Sequence, residues 1–313
     1  MITLIQMEYA VAVDTHRNFA KAAEKCFVTQ PTLSMQLKKM EEDLDVILFD
    51  RSKQPVIPTE AGKDIIEQAR LVLQEAKKVN RMAKEMKSIL SGELRIGVIP
   101  TIAPYLLPLF AGEYKHRYPE VHLKVEELIT ERIEEKLKKD LLDVGILVTP
   151  LHNKSIIEHP LYYEEMQIYS NSANPLIKKP VIQVKDIASP ELWLLSDGHC
   201  FRNQVINLCD LQNMESDTLP FDYAGGSIDT LIKIIDKEGG FTLIPELAGL
   251  ELKGERKKQL RHFSNLVPLR EVSMVYTRQF AKTKLVESLA ESIRRSVPAH
   301  LKDSARGTLV EWR

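Results

Sequence analysis

The sequence has almost no excess charge and no long apolar run. Its 43 lysines and arginines nearly balance 44 aspartates and glutamates, which leaves a net charge of -1. A nucleic-acid binder of this composition must concentrate its positive charge in one region. No stretch approaches the roughly 18 apolar residues of a membrane-spanning helix, and the N-terminus lacks the basic segment and cleavage site of a signal peptide. We therefore predict a cytoplasmic protein without a membrane partner.

Cysteine is also scarce, with three residues in 313. This number excludes the disulfide framework of a small secreted protein, and in a reducing compartment a disulfide is more often transient than structural. The sequence also lacks a carboxylate dyad, a metal-ligand cluster, a phosphate-binding loop and a nucleophile elbow. We therefore expect no metal and no cofactor, and we do not expect an enzyme.

The first 58 residues have the pattern of short helices and a small hairpin. Asn18 and Thr29 are the predicted N-caps of the second and third helices, Pro31 lies in the first turn of the third, and turn-forming residues follow at 52–55. Two small helices joined by a tight turn, the second beginning with polar side chains, predict a helix-turn-helix with a wing.

This arrangement indicates a DNA-binding head. Polar side chains near the start of the third helix suit base edges or phosphates, and the cations that follow suit phosphates. The predicted contact residues are Gln30, Thr32, Ser34, Gln36, Lys38, Lys39, Arg51 and Lys53. Acidic residues between positions 41 and 50 keep a second interpretation open, which is a small helical docking domain.

One uninterrupted helix is predicted for residues 59–90. Apolar or small residues recur along it at alternating steps of four and three, as in the seam of a coiled coil. They are Ile65, Ala69, Val72, Ala76, Val79, Ala83, Met86 and Leu90. We predict a dimerising linker that holds two heads apart. The alternative is a long helix that packs on its own domain.

Strands and helices alternate after residue 91. The clearest predicted strands are residues 93–100, 121–128, 141–148, 165–170, 191–196, 240–245 and 270–277. This rhythm predicts an α/β fold with mainly parallel sheets and a cleft between two of them. Ligands in such folds bind where strands end and helices begin, which points to Thr101 and Thr130. Each threonine could instead cap the helix that follows it.

The segment DGHCFRNQVINLC, residues 197–209, holds two of the three cysteines. Cys200 is expected at the start of a helix that follows a strand, beside His199 and Arg202. The helix N-terminus and both cations favour a thiolate, which attacks a peroxide oxygen to give a sulfenic acid. Cys209 is the candidate resolving thiol. The alternative is that both cysteines are small buried hydrophobic residues, the interpretation that we favour for Cys26.

Helix geometry constrains this pair. On a continuous helix, nine residues place two α-carbons about 13 Å apart on opposite faces. A disulfide requires roughly 4.4 to 6.8 Å between them. A bond between these cysteines therefore requires the helix to unwind, which couples oxidation to a change of shape.

The chain resembles the LysR family of bacterial transcription regulators, and within it the members that sense hydrogen peroxide. The family resemblance lies in FAKAAEKCFVTQPTLSMQLKKMEEDLDVILFDRS and PTEAG, and the narrower one in IGVIPTIAPYLLP, DGHCFRNQ, GFTLIPELA and REVSMVYT. It covers nearly the whole chain and weakens after about residue 300. The implied architecture is α/β: a winged helix-turn-helix (1–58), a coiled-coil linker helix (59–90), a periplasmic-binding-protein-like sensing domain (91–300) and a tail (301–313). The sensing domain would divide into subdomain I, about 91–164 and 268–300, and subdomain II, about 165–267.

The resemblance also implies roles. Cys200 matches the peroxidatic cysteine and Cys209 the resolving one, with a reversible disulfide between them. Thr101, Thr130, His199, Arg202 and Arg270 match positions around the peroxide or the reactive thiol. Gln30, Pro31, Thr32, Ser34 and Gln36 match the recognition helix, and Arg51 the wing. The implied partners are double-stranded promoter DNA, hydrogen peroxide, RNA polymerase, a thiol reductant of the glutaredoxin or thioredoxin type, and further copies of the chain as dimer and tetramer.

One residue and one segment depart from the family pattern. Asn203 stands where we expect an aspartate, and residues 210–227 match poorly. Two other functions are weighed against a peroxide sensor: a LysR regulator that senses a small organic effector, and a thiol peroxidase. The second accounts for the cysteines but not for the head and the linker.

Overall fold

A computed structural model of the chain describes residues 1–85, 90–179, 181–209, 221, 223–277 and 283–312. The chain forms two units. The first lies within Met1–Ile89, and the second comprises Leu90–Arg278 and Thr283–Arg313. Within the described residues, no helix is both long and apolar enough to cross a membrane.

The N-terminal unit is a helical bundle with a short hairpin, as the sequence predicts. Its elements are α1 (Leu4–His16), α2 (Phe19–Lys25), α3 (Gln30–Leu44), β1 (Phe49–Asp50), β2 (Ile57–Pro58) and α4 (Glu60–Glu85). Both predicted caps are confirmed, because Asn18 accepts a hydrogen bond from the Lys21 amide and Thr29 one from the Thr32 amide. Strands β1 and β2 pair antiparallel and form the wing.

Helix α3 faces the core of this unit with one apolar stripe. Leu33, Leu37 and Met40 are fully buried, spaced so that they share one side of the helix. They pack with the apolar faces of α1 and α2 and with Leu48 and Phe49 of the wing region. The opposite face of α3, which begins with the exposed Gln30, is left open.

The first turns of α4 pack on the same core. Ile66 and Ala69 are buried, and Ile65 contacts the cluster from its edge. Arg70 donates hydrogen bonds to Asp14 Oδ2 at 2.6 Å and to Thr15 Oγ1 at 3.2 Å, both on α1. The first residues of the predicted seam therefore pack on the core of their own unit, whereas Val79, further along, is 68% exposed. Met86 lies outside the described residues, and the dimeric coiled coil stays a prediction.

We expect Arg70→Gln to loosen α1 in the N-terminal unit. The change removes hydrogen bonds to a mostly buried carboxylate, and one charge-assisted bond of this kind is worth about 1.5 to 3 kcal/mol. Hydrogen exchange of the α1 amides in the full chain measures this effect. Lys63→Gln is the matched control, because Lys63 makes only a surface pair with Glu60, and such pairs contribute roughly 0 to 1 kcal/mol. Equal exchange in the two variants would contradict the packing of α4 on α1.

The C-terminal unit is built on one mixed sheet with helices around it. Its strands are β3 (Gly92–Val98), β4 (Val121–Glu127), β5 (Val144–Thr149), β6 (Ile156–Ser170), β7 (Phe241–Pro245), β8 (Leu260–Arg261), β9 (Pro268–Thr277) and β10 (Thr308–Leu309). Its α-helices are α5 (Ala103–Arg117), α6 (Thr130–Lys138), α7 (Pro175–Lys178), α8 (Cys200–Cys209), α9 (Ile228–Glu238), α10 (Glu246–Glu251), α11 (Glu255–Lys258) and α12 (Thr283–Ser296). Short 3-10 helices cover Val184–Ile187, Ala299–Lys302 and Ser304–Arg306.

The order of the main strands is β4-β3-β5-β9-β6-β7, with β8 beside β6 and β10 beside β9. Pairing is parallel from β4 to β5 but antiparallel between β5, β9, β6 and β7. The expectation of mainly parallel sheets is therefore wrong for the part of the sheet from β5 to β7. The physical reason is that β9 returns from the distal end of the chain to lie between β5 and β6.

Strand β6 links the two parts of the sheet. It pairs with β9 as far as Glu165 and with β7 from Met166 onward. The sequence predicted only its last part, residues 165–170, because its first part lacks a regular alternation. The predicted strand at 191–196 is wrong. Leu192 makes one isolated bridge to Phe241, and the carbonyl of Trp193 accepts a bond from the Thr242 hydroxyl instead of a ladder amide.

Candidate functional site

Thr101 and Thr130 lie at one edge of the sheet. They follow β3 and β4, which are neighbouring parallel strands in a register that places Val98 opposite Glu127. Both side chains are buried. The capping interpretation is wrong for each, because the N-caps of α5 and α6 are the neighbouring residues Ile102 and Ile129, without side-chain cap bonds.

Arg270 reaches this edge from β9 and is completely buried. Its Nε donates to Glu164 Oε1 at 2.8 Å, and Glu164 lies directly opposite on β6. Its Nη1 donates to the Thr101 hydroxyl and its Nη2 to the Thr101 carbonyl, each at 3.0 Å. The guanidinium also lies 5.0 Å from the centre of the Phe201 ring, on α8. One arginine thus joins two strands, a turn and a helix.

Cys200 is the first residue of α8, where the sequence placed it, and it is buried with 4% exposure. Burial raises the pKa of its thiol above the ordinary value, against the positive charge of Arg270 and a contact with Thr130, which lower it. Glu131 adds a smaller upward effect. The Thr130 hydroxyl makes no conventional hydrogen bond to any described residue.

His199 lies half-buried beside the loop that precedes α9. Its ring is so close to Gly226 that a β-carbon there would lie 2.3 Å from His199 Cε1. Burial lowers the pKa of His199, which favours the neutral imidazole over the cation. The sequence expectation that His199 supplies a positive charge to the thiolate is therefore not met.

Arg202 does not join the charged groups around the thiol. It pairs with Asp197 at 2.9 Å and donates to the Leu195 carbonyl at 3.0 Å. The described arginine that lowers the pKa of Cys200 is Arg270. Asn203, also on α8, is half-buried there.

Helix α8 begins at Cys200 and ends at Cys209. The premise of a continuous helix between the cysteines is therefore confirmed, and their α-carbons are about 13 Å apart by helix geometry. The side chain of Cys209 lies outside the described part of the chain, as does most of the poorly matched segment 210–227.

The predicted DNA contacts occupy the open face of α3 and the wing. Exposed residues are Gln30, Pro31, Thr32, Lys38, Lys39 and Arg51. Ser34 and Gln36 are half-buried, and Gln36 accepts a hydrogen bond from Gln6 on α1. Arg51 pairs with Glu41 at 2.7 Å, which neutralises part of its charge. Lys53 is near Asp50 at 3.9 Å.

Sequence reasoning missed Met35, which is 61% exposed between Ser34 and Gln36. It lies on the outward stripe of α3 with Thr32 and Lys39, at helical spacing from both. An exposed methionine there suits apolar contact with a thymine methyl group in the major groove. The sequence did contain a signal. Leu33 and Leu37 are spaced by four residues and share the buried face of α3, and Met35, midway between them, must face away from it.

Comparison with known proteins assigns both units to one family. The LysR substrate binding domain matches residues 88–298, and the lysR-family bacterial regulatory helix-turn-helix protein matches residues 4–63. The chain belongs to the LysR family. It is therefore a transcription regulator that combines a helix-turn-helix with a LysR substrate binding domain of α/β structure, as the sequence resemblance implied.

The similar proteins within this family include OxyR regulators. The chain is 34% identical over 297 residues to the DNA-binding transcriptional dual regulator OxyR of Escherichia coli K12, which covers 94% of this chain and 95% of that protein. A full-length OxyR variant from Pseudomonas aeruginosa matches with a TM-score of 0.78 and 31% identity over 95% of this chain and 99% of that one. An OxyR variant from Corynebacterium glutamicum with bound hydrogen peroxide matches with a TM-score of 0.60, 26% identity, and coverage of 95% and 92%.

Glu164 and Phe201 were also missed from the sequence, although both contact Arg270. The signal for Glu164 was a carboxylate in the apolar run LYYEEMQIY, which in a buried strand requires a cation. Its second oxygen accepts the Leu247 amide at the start of α10. Glu164 thereby ties β6 to β9 and to α10.

We expect the reactivity of Cys200 to depend on the buried Arg270 and not on Arg202, which lies two residues after it in the sequence. A change of Arg270 to Met together with Glu164→Gln removes the pair without leaving one buried charge. Loss of Arg270 raises the pKa of Cys200 further, and one pKa unit corresponds to an about tenfold smaller thiolate fraction near neutral pH. The rate of Cys200 alkylation, measured against pH with the alkylated cysteine identified by mass spectrometry, should fall accordingly.

Arg202→Met is the matched comparison for that measurement. It also replaces an arginine by methionine, but at a position two residues after the cysteine in the sequence. Its alkylation profile should overlay that of the parent. In the parent, the rate should keep rising with pH through neutrality, since the thiol pKa is raised and the thiolate is the minor form below it. A profile that responds to Arg202→Met and not to the Arg270 double variant would contradict this assignment.

Proposed function

We propose that this chain is a hydrogen peroxide-sensing activator of antioxidant genes, switched by a reversible disulfide between Cys200 and Cys209. The observation that carries the proposal is the placement of both cysteines at the two ends of α8, with the first buried beside Thr130 and Arg270. Similarity to OxyR proteins supports it. Thr101 and His199 complete the proposed peroxide site.

The proposed chemistry uses two thiols and one peroxide. The Cys200 thiolate attacks one peroxide oxygen, the O–O bond breaks, and the leaving hydroxide takes up a proton as water. The product is a Cys200 sulfenic acid. The Cys209 sulfur then attacks the Cys200 sulfur, the S–O bond breaks, and the second oxygen leaves as water. Two thiols lose two electrons, and one peroxide becomes two waters.

Arg270 and Thr130 are the groups that assist the first step. Both lower the pKa of Cys200 against the effect of burial, so they stabilise the thiolate that attacks. Neutral His199 can accept or donate one hydrogen bond to the peroxide without adding charge. We do not assign Arg202 to this step, because Asp197 and the Leu195 carbonyl hold it.

The second step requires α8 to change. The two α-carbons must move from about 13 Å on the helix to roughly 4.4 to 6.8 Å in a disulfide. We propose that the helix unwinds and that the surface of the sensing domain changes with it. A thiol reductant of the glutaredoxin or thioredoxin type would reverse the step by exchange.

We propose that the change is transmitted to DNA through the assembly. Residues 1–58 would bind promoter DNA, the linker 59–90 would form the dimer, and sensing domains from residues 91–300 would join dimers into a tetramer. Subdomain I would comprise about 91–164 and 268–300, and subdomain II about 165–267. A different arrangement of four heads on DNA would then alter recruitment of RNA polymerase.

The experiment that tests this function is thiol mapping on the full chain after brief, substoichiometric hydrogen peroxide, with footprinting of promoter DNA on the same samples. We expect a Cys200–Cys209 disulfide and a changed footprint. Cys200→Ser should abolish both, and Cys26→Ser, which alters a half-buried cysteine of the head, should abolish neither.

Several results would contradict the proposal. One is a free Cys200 thiol after peroxide, and another is an unchanged footprint once the disulfide has formed. A footprint that responds to a small organic compound equally in Cys200→Ser would favour an effector-sensing regulator. Rapid turnover of peroxide with a thiol reductant would favour a peroxidase.

We expect Lys38 to contact a phosphate through the exposed face of α3. Its pair with Glu42 is long, at 3.7 Å, and both side chains are mostly exposed, so the lysine is available to DNA. Lys38→Gln should weaken binding to all sequences and reduce the slope of log affinity against log salt by about 1. Lys258→Gln in the C-terminal unit is the control. An unchanged slope for Lys38→Gln would remove it from the interface.

A further inference from the structure

The last residues of the chain pack against the sensing sheet although they lie beyond the family match, which ends at residue 298. Strand β10 pairs in parallel with Pro268 and Leu269 at the start of β9. On that side of β9, strand β5 ends at Thr149, opposite Glu271. Strand β10 therefore continues the sheet where β5 stops, and its Leu309 lies opposite Leu269, the residue before Arg270.

One end of this segment is held by a charged cluster. Glu246, at the start of α10, accepts hydrogen bonds from His300 at 2.8 Å and from Arg306. Arg306 also donates to the Tyr163 carbonyl at 3.0 Å. Next to it, a β-carbon on Gly307 would lie 2.2 Å from the Val267 carbonyl oxygen, so glycine permits the close approach of the two backbones.

The other end is held by α8. Gln204 Nε2 donates to the Val310 carbonyl at 2.7 Å, and Asn207 Nδ2 donates to the Glu311 carbonyl at 3.0 Å. Cys200, Gln204 and Asn207 are four and three residues apart, which places them on one face of the helix. The face of α8 that buries the reactive cysteine is therefore the face that binds the end of the chain.

We propose that residues 299–312 form a C-terminal brace that keeps α8 helical and slows its unwinding after Cys200 is oxidised. The brace is a positioning element: it binds α8, not peroxide. The stabilisation of α8 by the brace follows from the hydrogen bonds of Gln204 and Asn207 alone. Its effect on disulfide formation rests on the function proposed above.

The physical argument is that α8 cannot unwind without separating its side chains from the brace. The Val310 amide donates to the Leu269 carbonyl at 2.8 Å and the Thr308 amide to the Val267 carbonyl at 2.9 Å. These backbone bonds fix the carbonyls to which Gln204 and Asn207 donate. Unwinding therefore leaves buried Gln204 without this partner unless β10 also detaches from β9, and either event disfavours the oxidised shape.

Asn207→Ala tests the brace most sharply. Alanine has a higher helix propensity than asparagine, so the change by itself should slow hydrogen exchange in α8. Compared with Asn203→Ala, which has the same gain in propensity, Asn207→Ala should give about fivefold faster exchange of the α8 amides in the reduced full chain, because one bond to the brace is lost. Asn203→Ala is the matched control: it makes the same chemical change on the same helix without removing a bond to the brace. A second variant ends the chain after Gly307 and should give a larger effect, roughly tenfold or more.

The same variants are then followed after peroxide. Trapping of the sulfenic acid measures the first step at Cys200, and disulfide formation measures the second. We expect the rate of the first step to be unchanged and that of the second to rise about fivefold in Asn207→Ala. A general loss of structure would alter both steps.

The outcomes separate the two claims. Unchanged α8 exchange in both the Asn207→Ala and the shortened chain would overturn the brace. Faster exchange with an unchanged rate of disulfide formation would overturn its role in the switch. Absence of the disulfide in the parent chain would overturn the proposed function, and the exchange data would still decide whether the brace stabilises α8.

Discussion

The buried ion pair between Arg270 and Glu164 is the constraint on which the C-terminal unit depends. Neither side chain is exposed, and a buried charge without a partner destabilises a protein by several kcal/mol. The strand register places the two residues opposite each other, and Thr101 accepts two further hydrogen bonds from the guanidinium. The pair therefore fixes the edge of the sheet against which α8 rests through Phe201. In the proposed function, the strands stay in place and α8 is the element that changes.

Under the proposed function, this arrangement explains how the chain holds a cysteine that is both reactive and protected. Burial raises the pKa of Cys200, while Arg270 lowers it. Because Glu164 pairs with Arg270, the cation can act on the thiol without being an uncompensated buried charge. Reactivity then depends on a small ligand that reaches the buried sulfur, which suits hydrogen peroxide better than a larger oxidant.

The parts of the structure that follow local rules could be predicted from the sequence. The head was predictable because caps at Asn18 and Thr29 and the inward stripe of α3 are encoded within a few residues. The helix between Cys200 and Cys209 was predictable for the same reason. The partner of Arg270 was not, because Glu164 lies 106 residues away and meets it only through the register of two antiparallel strands. From the sequence, Arg202 was the natural candidate for the cation beside the Cys200 thiol, but Asp197 and the Leu195 carbonyl bind it instead. The C-terminal contacts with α8 were also beyond prediction, since they join segments about 100 residues apart that share no pattern.

We propose that oxidation of Cys200 to the disulfide and loss of helix in α8 are one event. Hydrogen exchange across α8, measured on the full chain before and after one equivalent of hydrogen peroxide and paired with disulfide mapping, tests it most directly. We predict that the Cys200–Cys209 disulfide and rapid exchange of the amides between them arise together, and that a thiol reductant reverses both. A disulfide that forms while those amides stay protected would contradict it.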